Sequence, residues 1–180
     1  MPVKRFEVPG HATRREFAVY VVLARKGDSN EFSLYVGKTG DNRDGCNPVI
    51  SRAGNHFSYN DIHSQVRNKL ENHEEYDYQY FYVTFDPYDE DDAIRRSGVD
   101  VVNEMERAVN EGVKGVLNQQ YQNRLLNPYG GAGYIKKEEK CKRAAIRTKE
   151  RMGKVYALIT DVVNCIIEYA PDAIKSVEAK

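Results

Sequence analysis

The chain has no tryptophan, only three cysteines and six prolines, no surplus of either charge, and no long apolar run. Each shortage excludes something. Cys46, Cys141 and Cys165 are an odd number in unrelated contexts, which suits free thiols in a reducing compartment and removes a disulfide framework. Lys plus Arg and Asp plus Glu each number 27, so bulk positive charge makes no case for a nucleic-acid partner, and any basic surface must be local. No stretch approaches the roughly 18 apolar residues of a membrane span. The first ten residues carry charge without the apolar centre of a signal peptide. The expectation is a cytoplasmic protein with no membrane partner. With 180 residues, 41% hydrophobic, 30% charged and a mean hydropathy of -0.69, the chain can bury one core beneath a very polar surface.

What is abundant is tyrosine, at 13 residues, and several of these sit in strand patterns. Residues 16–24 alternate Phe17, Val19, Val21 and Leu23 against Ala18, Tyr20, Val22 and Ala24, a buried strand. The polar stretch after it holds Gly27, Asp28 and Asn30, so a strand over 31–37 returns antiparallel. Asn47-Pro48 then opens a short helix through about Ala53. After Asn60-Asp61, the spacing of Ile62, Val66 and Leu70 predicts an amphipathic helix. Tyr76, Tyr78, Tyr80 and Tyr82 line one side of a third, edge strand. From about Val99, positions Val102, Met105, Val109, Val113 and Val116 mark a helix that extends toward Asn127, although Gly112 and Gly115 weaken it. The glycine-rich stretch 127–134 reads as a turn, and one further helix runs from Ile135 to a stop at Pro171. No internal repeat interrupts this order. The fold class expected is α/β, of the α+β kind, with a small hairpin-containing antiparallel sheet flanked by helices. Residues 1–15 form an arm, 16–127 the core, and 134–180 a helical extension of the same compact unit.

Two familiar chemistries fail on spacing. Gly37-Lys38-Thr39 has the tail of a phosphate-binding P-loop, but the glycine needed at position 32 is Phe. Cys46, His56 and His63 are metal-ligand types whose spacing matches no zinc pattern.

An ordered set remains: Ala18-Val19-Tyr20, Tyr35-Val36-Gly37-Lys38, Arg52 with His56 four residues on, Glu106 in the long helix, and Asn118. Over residues 17–118 this resembles the GIY-YIG nuclease family, with the restriction-endonuclease branch favoured because the chain is short yet has material beyond the core. The pattern departs from the family in several places. Ala18 stands for the first glycine, the hairpin turn is long, the gap from Tyr35 to Arg52 is wide, and the proline of the last motif is missing. That absence leaves Asn118, Asn123 and Asn127 as candidates, with Asn118 preferred. Arg43 rivals Arg52, and Glu104 rivals Glu106. Residues two apart on a helix diverge by about 200 degrees, so the two glutamates cannot face one site.

The resemblance implies an endonuclease that hydrolyses phosphodiester bonds of double-stranded DNA, and a homodimer is compatible with it. One carboxylate in the matched set suits a single, largely hydrated Mg²⁺ (or Mn²⁺) on Glu106. Arg52 would clamp the phosphate with its planar fork. Lys38, Tyr20 or His56 would promote proton removal from water, with Tyr35 as orienter. Finally, Lys136, Lys140, Arg143, Arg147, Arg151 and Lys154 step by three or four residues, which predicts one basic face on a single helix for the phosphate backbone.

Overall fold

Alternation in the first half of the chain builds a three-stranded antiparallel sheet of order β2-β1-β3. The computed structural model describes residues 3–27, 29–40, 46–130 and 136–175. Strand β1 (Glu16–Lys26) is central and buried from Phe17 to Ala24. Strands β2 (Phe32–Lys38) and β3 (Tyr76–Pro87) pair with it on either side. Between β2 and β3 lies helix α1 (Val49–His56), and after β3 come α2 (Asp92–Val116), α3 (Lys137–Ile146) and α4 (Lys149–Ile167). The mixed α/β class with a small antiparallel sheet is therefore as the sequence indicates.

Period-two alternation gives the sheet two unlike faces. Phe17, Val19, Val21, Leu23, Phe32, Leu34 and Val36 pack against α2 and α4 in the main core, joined by Phe81 and Val83 of β3. Tyr20, Val22 and Ala24 project the other way, with Tyr35 and the β3 tyrosines around them. Helix α2 runs unbroken through both of its late glycines. A Cβ on Gly112 would lie 2.3 Å from Ile159 Cδ1, so the bare backbone is what lets α4 come close.

Three elements differ from the sequence reading. Residues 61–70 form turns and a short 3-10 segment, Arg67–Lys69, in place of an amphipathic helix. Val66 is buried but Ile62 is 75% exposed. The cause is competition from side chains: Asn60 Oδ1 accepts from the Ile62 and His63 amides, and the buried Ser64 hydroxyl donates back to Asn60 O. Helix α2 begins seven residues before Val99, because the Asp91 carboxylate caps the amides of Ala93 and Ile94, and it ends at Val116 instead of continuing toward Asn127. There Leu117 turns extended and bridges to Ile174. The single C-terminal helix is two helices. Arg147 leaves helical geometry at ψ 56°, and the Thr148 hydroxyl caps α4 by accepting from Arg151 N.

Candidate active site

The site grows from one register pairing. Tyr20 on β1 stands opposite Gly37 on β2. A Cβ on Gly37 would sit 2.5 Å from both Cζ and the hydroxyl oxygen of Tyr20, so only glycine lets this ring lie over the neighbouring strand. Tyr35, two residues back along β2, shares that face. Across from them comes α1, where Arg52 and His56 are four residues apart and hence on one side of the helix. His56 Nε2 is 2.7 Å from the Tyr20 hydroxyl, and its ring lies edge-on to both Tyr20 and Tyr35, with centroids 5.7 and 4.9 Å away.

Lys38 ends β2 and points toward α2, where its Nζ lies 2.6 Å from Glu106 Oε2. Glu106 is close enough for its charge to push both Tyr20 and Tyr35 toward the protonated form, while Arg52 opposes it at each. Six of the expected residues, Tyr20, Tyr35, Lys38, Arg52, His56 and Glu106, are thus brought together. Burial divides them. Tyr20 and His56 are closed to solvent, at 0% and 1% exposure, whereas Tyr35, Lys38, Arg52 and Glu106 are half-buried.

Burial also sets the protonation states. It raises the Tyr20 phenol well above its ordinary value, with Arg52 pulling the other way by charge and as a donor. Burial pushes the His56 imidazole down to about 4, assisted by the Arg52 charge, so the ring is neutral near pH 7. The tautomer able to take a proton from Tyr20 keeps its ring proton on Nδ1, a buried atom without a partner among the described residues. Arg52 Nε is likewise buried without an acceptor, and Arg52 forms no ion pair among the described residues.

Other assignments resolve differently. Glu104 is 3% exposed and turned from the tyrosines into a guanidinium cluster: Arg107 bonds its Oε2, and Arg147 Nε lies 2.7 Å from its Oε1. Asn118 is remote from the cluster by its partners, since its amide donates to the Asp172 and Ile174 carbonyls and ties down the C-terminal segment. Asn127 is the asparagine at β2. Its Oδ1 accepts from Val36 N at 3.0 Å and its Nδ2 donates to Val36 O at 2.6 Å, beside Tyr35 and Gly37. Arg43 lies outside the described residues. Thr39, from the rejected P-loop tail, accepts from Ala18 N and donates to Glu16 O, a purely local strand clasp.

The basic row does not form one face of one helix. Lys136 precedes α3, Lys140 and Arg143 lie on it, Arg147 is its C-cap, and Arg151 and Lys154 belong to α4. Arg143 pairs with Glu139, Arg147 with Glu104 and Glu111, Arg151 with the Ile146 carbonyl, and Lys154 with the Thr84 carbonyl. The missed signal was Thr148 followed by Glu150, a capping residue and a first-turn acid inside the apparent helix.

Glu106 and Lys38 open onto a cleft of about 530 Å³ between α2, α3 and residues 127–130, where Asn103, Arg107 and Tyr129 also line the walls. Sequence reasoning did not find these three, as none carries a spacing signal. Among the described residues no three His, Cys, Asp or Glu side chains gather as a ready cation cage. Compared with protein-family models, with curated proteins and with solved structures, the chain matches none.

Proposed function

We propose that the protein is a metal-dependent endonuclease of GIY-YIG type, hydrolysing phosphodiester bonds of double-stranded DNA. The observation that carries the reading is Arg52. Among the described residues it is a half-buried guanidinium that pairs with no carboxylate and finds no acceptor for its Nε–H, set among Tyr20, Tyr35 and His56 close to the Lys38–Glu106 pair. A phosphate oxygen supplies the missing acceptor, and the planar fork binds two such oxygens at once.

The donor set fits a divalent ion held by one carboxylate and otherwise hydrated: Glu106 is half-buried and faces a cleft, and among the described residues it belongs to no group of three ligand-type side chains. Glu106 would hold Mg²⁺ or Mn²⁺, which supplies charge neutralisation to the scissile phosphate. The remaining work falls to this chain's own side chains. Arg52 binds and orients the phosphate, and Lys38, released from Glu106, adds a second positive charge. Tyr20 takes the proton of the attacking water as it passes its own to His56. Of the groups in contact, only the imidazole is both neutral and empty at pH 7. Tyr35 holds the edge of the His56 ring and fixes its plane.

The test is supercoiled plasmid with Mg²⁺, comparing the native chain with Glu106→Gln. Nicking by the first and a loss of at least about 100-fold in the second, at an unchanged unfolding midpoint, is expected. Equal activity in both removes Glu106 from the site, and no cleavage of any plasmid by the native chain rejects the nuclease reading.

A further inference from the structure

Helix α3 buries no residue. A ten-residue helix with no apolar seam has little reason to dock, and short helices are marginal alone. Its one apolar anchor is the partly buried Ile146 in its last turn. The side-chain bonds that join it to α2 are ionic. Lys142 Nζ lies 2.6 Å from Asp100 Oδ2, and Arg143 Nε 3.9 Å from Glu104 Oε2. At the C-cap, Arg147 reaches Glu104 at 2.7 Å and Glu111 at 3.0 Å.

This helix walls the cleft onto which Glu106 and Lys38 open, since Glu139, Lys142, Arg143 and Ile146 line the same cavity. Access to the candidate site therefore depends on a helix attached by charge. We infer that α3 is an electrostatic clasp over the Glu106 cleft, held by the carboxylates of α2 and released when nucleic-acid phosphates take over Lys142, Arg143 and Arg147. The identity of the releasing partner rests on the nucleic-acid reading above; the clasp itself rests on the ion pairs.

Two features make release inexpensive. Glu104, the most buried of the carboxylates, keeps Arg107 on its own helix as a partner when Arg143 and Arg147 leave. The joint is already formed, because the backbone departs from helical geometry at Arg147 and α4 starts afresh from the Thr148 cap, with Val155, Leu158 and Val162 anchored in the core. Phosphates on a polymer present many anionic oxygens together and gain from counterion release, which separates them from simple salt at equal charge.

A native thiol serves the experiment. Cys141 is exposed on α3, Cys46 is buried, and Cys165 can be removed as Cys165→Ser. A second label goes on the exposed side of α2 through Lys114→Cys. Pulsed electron spin resonance then reads the Cys141-to-114 distance at low salt, with inorganic polyphosphate, and with duplex DNA in chelator. One narrow distance at low salt, replaced by a longer and broader one with either polyanion, is the expected result. The pair Asp100→Asn with Glu111→Gln, both at the solvent-facing side of the contact, should lower the polyphosphate concentration for half-release by about threefold or more. A distance unmoved by both polyanions and by the double variant overturns the clasp. Release by polyphosphate but not by DNA overturns nucleic acid as the releasing partner. Release by DNA from a protein that cleaves no plasmid supports the clasp while rejecting the nuclease reading, so the two failures are distinguishable.

Discussion

The two faces of the sheet come from the same three strands and share almost no chemistry. Toward α2 and α4 the sheet offers mainly hydrocarbon, Val19, Val21, Leu23, Leu34 and Val36 with Phe17 and Phe32 filling the ends, and at the end of β2 Lys38 reaches Glu106 on α2. Toward α1 it offers tyrosines, and the hydroxyls of Tyr80 and Tyr82 are buried there without partners among the described residues. A buried polar atom without a partner costs stability, so the tyrosine face is the weaker half of the molecule. Most of the cohesion lies on one side of the sheet and the Tyr20–His56 contact on the other, and substitutions should separate the two.

The largest effect belongs to the hydrocarbon face. Leu23→Ala should cost about 2–5 kcal/mol in urea unfolding through the cavity it leaves, without touching the Arg52 cluster. A loss below about 1 kcal/mol would mean that this face is not where stability resides.

On the other face the expected signature is acid sensitivity. The His56 pKa is lower in the folded chain, near 4, than the ordinary 6.5, so the unfolded chain binds the proton first as pH falls. Stability is full above about pH 6.5 and declines through the folded value near 4, at about 1.4 kcal/mol per pH unit, or about 3 kcal/mol over the window. Titrating stability of the native chain beside His56→Asn isolates this contribution from the carboxylates. Parallel curves for the two would show that the imidazole does not carry it.

Third in size is Gly37→Ala, which drives a methyl group into the Tyr20 ring and should cost about 1–3 kcal/mol. It should also free His56 from Tyr20, seen as a rise of the imidazole pKa in a nuclear magnetic resonance titration. An unmoved pKa would show that the ring shifts as a whole and keeps its partner. The smallest effect sharpens the contrast most. Tyr80→Phe deletes an unpartnered hydroxyl and should be neutral or stabilise by up to about 1 kcal/mol. A clear destabilisation would mean that the hydroxyl has a partner after all.

Legibility in the sequence followed the same divide. The strands were readable because alternation in 16–24 and 76–83 is strict, and because a period of two has only one way to bury its apolar side. Strand faces and helical spacing are local rules that related Arg52 to His56 and gave Tyr20 and Tyr35 a face of each strand, whereas the expectation that these residues and Glu106 belong together came from the resemblance of their order to a family pattern. What failed were places where a single polar side chain overrules periodicity. Asn60 and Ser64 dissolved a helix that Ile62, Val66 and Leu70 suggested, Asp91 lengthened α2, and Thr148 cut the last helix in two. Asn127 stood among three candidate asparagines with Asn118 preferred, and the choice could not be made locally because its partner is a backbone group 91 residues away.

That same Asn127 has a consequence for how the protein behaves in company. As the outer strand, β2 would present a row of free peptide groups, the usual template for edge-to-edge aggregation. Leu126 N donates to Leu34 O at 2.8 Å, and one residue later the Asn127 carboxamide, acting as a counterfeit peptide unit, satisfies both groups of Val36. The middle of the strand that bears Tyr35 and Lys38 is thereby covered on its outer side without a fourth strand. Another chain finds Leu34 O and the peptide groups of Val36 already taken, so pairing along that stretch is blocked.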